Sequence, residues 1–137
     1  MNLPSLDWFA GFFDGEGSIG LYWNKGSKDS RYRSGHKTGC WIRSVTILHT
    51  HRPTLLLWKQ RFGGRVAINR IGKGTHKTTW VWTVGSVLYI LWVLDSLIPK
   101  LREKKPQAEV MRSCLRGTVT HEKAARMLKR LKHVKLA

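Results

Sequence analysis

Apolar residues recur at every second position in some stretches of this chain, and at every third or fourth position between them. This alternation of period constrains the fold more than any other feature, because a strand-period pattern cannot sit still as a helix, nor the reverse. Strand-like stretches run over 18–24, 40–50, 65–70 and 77–84. The last sets Trp80, Trp82 and Val84 against Thr79, Val81 and Thr83. Helical stretches run over 4–16, 53–61, 86–101, 106–116 and 120–134, the last basic with Ala124, Leu128 and Leu131 on its inner face. Pro4 and Pro53 stand where helices start; Gly15, Gly17, Gly63 and Gly64 stand where they stop. Gly72 and Gly74 mark a hairpin, and the basic, glycine- and serine-rich segment 25–39 reads as a loop or hairpin tip.

The order is therefore αββαββα followed by C-terminal helices, an α+β pattern in one domain over 1–137. Two hairpins separated by helices predict a four-stranded antiparallel sheet with helices on one face. Ile19, Leu21, Trp23, Val45, Ile47, Val66, Ile68, Trp80, Trp82 and Val84 form the helix-facing set. Gly20, Tyr22, Asn24, Ser44, Thr46, Arg65, Asn69, Lys77 and Thr79 form a free face. Arg43 falls on the apolar parity, so a bulge or an edge position is expected to re-aim it.

Charge narrows the partner. Lys and Arg number 25 against 8 Asp and Glu, and 25 − 8 gives +17. Such a field suits nucleic acid or an anionic membrane. The membrane reading is the weaker one, since no apolar run reaches the ~20 residues of a spanning helix. Residues 87–98 contain Asp95 and read as a buried helix. The first five residues lack a basic and apolar leader pattern, so no secretory signal is expected. Cys40 and Cys114 have no CxxC or zinc-ligand spacing. They read as reduced thiols in a reducing, intracellular setting: a bacterial or phage-infected cytoplasm, or an organelle.

With so few acids, the placement of Asp14 and Glu16 at the end of the first helix is informative. The C-terminal end of a helix dipole is negative, so carboxylates there are not caps. Such a cluster in a basic protein suits a hard divalent cation, Mg²⁺, between protein and phosphate; solvated loop acids are the plainer alternative. The helix before it is apolar nearly all round through Leu6, Phe9, Ala10, Phe12 and Phe13. Gly11 at its middle costs ~1 kcal/mol relative to Ala. Close approach of the same helix from a second copy, across a two-fold axis, would offset that cost.

The run Phe9-Ala10-Gly11-Phe12-Phe13-Asp14-Gly15-Glu16-Gly17 resembles the LAGLIDADG motif, with Phe for the first Leu and Glu for the second acid. The segment from Ile47-Leu48-His49-Thr50-His51 to Phe62-Gly63-Gly64-Arg65-Val66 resembles that family's second strand, helix and "FGG" turn. Trp80-Val81-Trp82-Thr83-Val84, followed by Leu97, Leu101, Lys104 and Gln107-Ala108, resembles its last strand and "K-x-x-Q-A" helix start. The resemblance spans residues 6–116 and carries one copy of the motif. It implies the αββαββα homing-endonuclease fold with a saddle-shaped sheet, and a homodimer joined through the first helix. Members are usually encoded within introns or inteins.

The resemblance also implies roles. Glu16 would be the catalytic metal-binding acid, with the Gly15 carbonyl as a further ligand; Asp14 would tie down the helix end. His49 takes the place of the Gln or Asn that orients water, and His51 falls where the family often has Asp. Lys104 would stabilise transition-state charge. Mg²⁺ is the expected metal, Mn²⁺ its substitute, and Ca²⁺ a metal that supports binding without cleavage. Leu6, Phe9, Ala10, Gly11, Phe12, Phe13 and Asp14 would form the dimer interface. Double-stranded DNA would lie on Tyr22, Asn24, Lys25, Lys28, Arg31, Arg33, Lys37, Ser44, Thr46, Arg65, Asn69, Arg70, Lys73, Lys77 and Thr79. The expected activity is a metal-dependent double-strand break in a long pseudo-palindromic site. The alternative is a non-cleaving binder of the same fold, an RNA maturase or a DNA-binding regulator.

Overall fold

The computed structural model describes residues 2–25 and 39–132. Helix α1 (Leu6–Glu16) runs directly into strand β1 (Gly17–Asn24). Strand β2 (Cys40–His49), helix α2 (Arg52–Phe62), strands β3 (Arg65–Arg70) and β4 (Thr79–Val84), and helices α3 (Val87–Leu97), α4 (Lys105–Leu115) and α5 (His121–Lys132) follow. The sheet is antiparallel and four-stranded, in the order β1-β2-β4-β3. This is the expected α+β, αββαββα order. Lys28, Arg31, Arg33 and Lys37, and residues 133–134 of the last helical stretch, lie outside the described residues.

Element ends follow local chemistry. Ser5 caps α1, its hydroxyl accepting from the Trp8 N–H at 3.2 Å, so Pro4 precedes the helix. The helical stretch at 86–101 divides. Ser86 becomes the cap of α3, and Ile98–Lys100 tightens into a 3₁₀ turn. Pro99 lacks an N–H, and its ring would meet the carbonyl four residues back, so α3 cannot continue through it. The fourth strand begins at Thr79, later than the expected residue 77. The Thr78 hydroxyl instead accepts from the Gly72 N–H at 3.0 Å and closes the loop that carries Lys77.

The turn from α2 into β3 needs both of its glycines. Gly63 and Gly64 have φ of 75° and 87°, which residues with a Cβ rarely adopt. A Cβ on Gly64 would also stand 2.7 Å from the Thr83 carbonyl oxygen. Their placement lets the Trp82 indole N–H donate to the Gly63 carbonyl at 2.8 Å, fastening the turn to β4.

The core lies between the helices and one face of the sheet. Phe9 and Phe13 of α1, Trp58 and Phe62 of α2, and Trp82 of β4 are all fully buried. They pack as one aromatic cluster: Phe9 meets Trp58 edge-on at 4.9 Å, and Trp58 meets Trp82 at 5.0 Å. Each such ring removes roughly 150–250 Å² from water, so this cluster holds α1 and α2 to the sheet. α1 is thereby fixed as a rigid lead-in to β1, which places its C-terminal acids at one end of the sheet.

Strand parity follows the sequence pattern. Ile19, Val45, Ile47, Trp82 and Val84 are buried on the helix side. Trp23 and Ile68 share that side but are 46% and 52% exposed. Arg43 is not re-aimed. The β1–β2 register is unbroken from Gly17↔Ile47 to Asn24↔Cys40, so no bulge exists there to turn it. Arg43 pairs with Leu21 on the helix side, half-buried, close enough to Cys114 for its charge to act on the thiol. Burial pushes the Cys114 thiol up, and Arg43 partly offsets this. A register shift does occur between Ile68 and Arg70, and it sets Arg70 opposite Thr79. The Asn69 side-chain amide donates to the Thr79 hydroxyl at 3.2 Å. The bulge thus brings Asn69 and Arg70 together at Thr79.

Candidate active site and nucleic-acid interface

The segment entering α4 is bonded to the last turn of α1. Asp14 Oδ2 accepts from the Arg102 backbone N–H and Oδ1 from the Lys104 backbone N–H, each at 2.9 Å. In return, the Lys104 ammonium donates to the Asp14 carbonyl oxygen at 2.8 Å. The last carbonyls of a helix have no partner inside it, and a cation there complements the negative dipole end. Asp14 is therefore a fastener between α1 and the segment entering α4. It holds Lys104 against the C-terminal end of α1, the helix that ends in Glu16.

Glu16 is exposed. Asp7 and Asp95 are engaged by Lys100, Arg112 and Arg116. Glu16 has no hydrogen bond or ion pair among the described residues. A Cβ built on neighbouring Gly15 meets nothing within 4 Å, so its backbone is open to an approaching group.

The donor set fits a hard cation in part. Glu16 and the Gly15 carbonyl supply oxygen only, as Mg²⁺ and Ca²⁺ require. Yet no group of three or more His, Cys, Asp or Glu side chains that could hold a metal occurs among the described residues. Glu16 and the Gly15 carbonyl of one chain would fill only part of such a cation's coordination shell.

His49 reaches the same end of the molecule from β2. Its ring packs on Phe12 of α1, centroids 5.4 Å apart, and Nδ1 accepts from the His51 N–H at 3.0 Å. A backbone N–H can only donate, so the neutral ring carries its proton on Nε2. His49 therefore carries its donor at Nε2, like the donor end of a Gln amide, and its Nδ1 is occupied. His51 turns to the first turn of α2, with Nδ1 2.8 Å from the Thr54 hydroxyl.

The predicted interface residues of α1 divide. Phe9, Ala10 and Phe13 are fully buried in the protomer's own core, so they have no surface left for a partner. This corrects their expected place in a dimer interface; the aromatic cluster takes them. Leu6, Phe12 and Asp14 are half-buried and Gly11 is exposed. Trp8, outside the expected set, is 37% exposed and stacks on Phe12 at 5.2 Å. Trp8, Gly11, Phe12 and Gly15 follow the i, i+3, i+4, i+7 spacing of one helix face. That spacing is legible in the sequence.

On the free sheet face, register places Ser18, Thr46, Thr83 and Arg65 in one cross-strand row. Gly20 faces Ser44, Tyr22 faces Ile42, and Asn24 faces Cys40. Tyr22 is 56% exposed. Lys25, Arg65, Asn69, Arg70, Lys73 and Lys77 are all exposed, so the described cations on and around this face are open to a polyanion. Leu48 was missed; it shares this face at 51% exposure.

No protein-family model matches the sequence, and a search of curated proteins finds no relative. Solved structures do match. The homing endonuclease I-CvuI in complex with its target aligns at a TM-score of 0.70 and 20% identity, covering 95% of this chain and 83% of that one. The archaeal intron-encoded homing endonuclease I-Vdi141I, complexed with DNA, aligns at 0.70 and 19%, covering 96% and 86%. I-TnaI, another homing endonuclease, aligns at 0.62 and 19%, covering 95% and 99%. This chain has the homing-endonuclease fold. The meganuclease I-SmaMI, bound to DNA, aligns at 0.61 and 20%, and there the chain spans 42% of its counterpart. Identities this low establish the fold. What the residues do rests on their own chemistry.

Proposed function

We propose that the chain is a homodimeric, divalent-metal-dependent endonuclease that breaks both strands of a long, pseudo-palindromic DNA site. The observation that supports this reading is that α1, the helix ending in Glu16, is bonded by Lys104 at its Asp14 carbonyl and packed by His49 at Phe12, at one end of a basic, free-faced sheet. The structural neighbours include homing endonucleases bound to DNA.

Two copies meeting across the Trp8, Gly11, Phe12 and Gly15 face of α1 would set two Glu16 carboxylates side by side at the two-fold axis. Oxygen ligands missing from one chain would then come from the partner's copy and from DNA phosphate. Glu16 and the Gly15 carbonyl would hold Mg²⁺, or Mn²⁺ in its place, and the cation would supply positive charge at the scissile phosphate and favour ionisation of water there. Ca²⁺ would support binding alone. Lys104 stabilises negative charge growing on the phosphate oxygens. The His49 Nε2–H donates to a water or phosphate oxygen and orients it, without accepting the water's proton. Arg65, Arg70, Lys73 and Lys77, with Lys25, Lys28, Arg31, Arg33 and Lys37 of the first hairpin, hold the DNA backbone. The free cysteines Cys40 and Cys114 suit a reducing intracellular setting.

The test compares wild type and Glu16→Gln on sites selected from randomised duplexes, in Mg²⁺ and in Ca²⁺. Cutting by wild type in Mg²⁺, with equal binding but no cutting by the variant, supports the reading. Binding by wild type without cutting in any metal supports the second reading, a non-cleaving binder. The motivation for that alternative is His49, which supplies a donor and no free acceptor.

A further inference from the structure

The free sheet face is not uniformly polar. Register sets Leu48, Val81 and Ala67 in one cross-strand row, on β2, β4 and β3. Leu48 is 51% exposed, and Val81 and Ala67 are half-buried. On one side lies the Thr46–Thr83–Arg65 row, and on the other Thr79 with Asn69 and Arg70. An apolar stripe thus crosses the face between two rows of hydroxyls, amide and guanidinium. Gly17 pairs with Ile47, so Leu48 is one residue beyond the last β1–β2 pair, at the end of the sheet where α1, ending in Glu16, enters β1.

The Leu48, Val81 and Ala67 side chains lie on the sheet face opposite the helices. A stripe of methyl groups on a strongly basic face has one partner in a DNA major groove, the C5-methyl of thymine. Cytosine lacks that methyl and presents an amino donor, which an apolar stripe leaves unpaired. Rows two residues apart along a strand are ~7 Å apart. The stripe therefore spans about two base pairs, at 3.4 Å of rise each.

Resting on the endonuclease reading above, we infer that the Leu48–Val81–Ala67 row reads thymine methyls at two neighbouring base pairs in each half-site, next to the cleavage position. The flanking rows read hydrogen-bonding edges or hold phosphate, so the stripe adds a base preference that charge alone cannot supply. Leu48 carries most of it, being the longest and most exposed of the three.

The experiment is selection of bound sites from randomised duplexes by wild type in Ca²⁺, followed by replacing each selected dT with dU. The dU change removes the methyl and leaves base pairing intact. The expected result is thymine at two adjacent positions per half-site, and about fourfold weaker binding for each methyl removed there. In Leu48→Ser the dT-to-dU ratio falls towards one. Leu48 is exposed, and a melting curve matching wild type shows that the variant is folded. A selected site that binds equally well with dU throughout overturns the inference and leaves the endonuclease reading intact. Failure to select any duplex site overturns both.

Discussion

Asp14 is the most instructive residue to perturb, because its carboxylate fastens α1 to the segment that carries Lys104. It accepts the Arg102 and Lys104 backbone N–H groups, both at 2.9 Å, from a half-buried position. Hydrogen bonds to a charged acceptor are worth roughly 1.5–3 kcal/mol each when removed. The Arg102 end is exposed, so water recovers part of the loss. Asp14→Ala should then destabilise the fold by about 2–4 kcal/mol, using that range with one bond discounted. For a domain of this size, that corresponds to a melting temperature lower by roughly 6–15 °C. Asp14→Asn keeps the shape but turns an amide donor towards one of the N–H donors, so it should lose at least half as much. Thermal and denaturant unfolding measure both. The variant should also bind DNA with little change while cutting more slowly, since Lys104 loses its anchor. Asp14→Ala melting within a degree or two of wild type would refute the fastening role.

Other substitutions follow from the same geometry. Gly11→Ala should stabilise an isolated protomer by ~1 kcal/mol, because its Cβ meets nothing within 4 Å. Gly11→Leu should weaken self-association if a second α1 packs there, and sedimentation separates these effects. Phe9→Ala should cost about 3–5 kcal/mol by opening a cavity against Trp58 and Phe62, read by denaturant unfolding. Gly64→Ala should cost about 1–3 kcal/mol, from a φ of 87° and the Thr83 carbonyl together. Cys114 has a thiol pKa raised above its ordinary value of 9.0. Its neutral form is favoured in the folded state, so stability from this group is full below that value and falls as pH rises through the folded pKa. Alkylation at mildly alkaline pH should accordingly reach Cys40 well before Cys114.

The sequence carried most of the architecture because the periods of two and 3.6 were cleanly separated, and Gly63, Gly64 and Pro99 punctuated them. The polar pair Asp14 and Lys104 was legible as two motif positions, yet not as one bonded unit. Contacts between residues 90 apart have no local signature. Arg43 misled for a related reason: parity placed it correctly on the helix side, and the expectation that a charge must be re-aimed did not hold. The all-round apolar α1 hid the division of its faces. Burial against Trp58 and Phe62 claims Phe9 and Phe13, and only tertiary packing reveals that Trp8 and Gly11 are left outside. The tautomer of His49 depends on the His51 N–H, which strand pattern alone does not place.

The most direct measurement is the mapping of both broken strands when wild type, in Mg²⁺, is given a duplex that it selects. A dimer with one Glu16 from each copy predicts two cuts per duplex, placed symmetrically about the two-fold axis of the site. A duplex left whole in Mg²⁺ and Mn²⁺ while still bound, or a nick confined to one strand, would contradict the account.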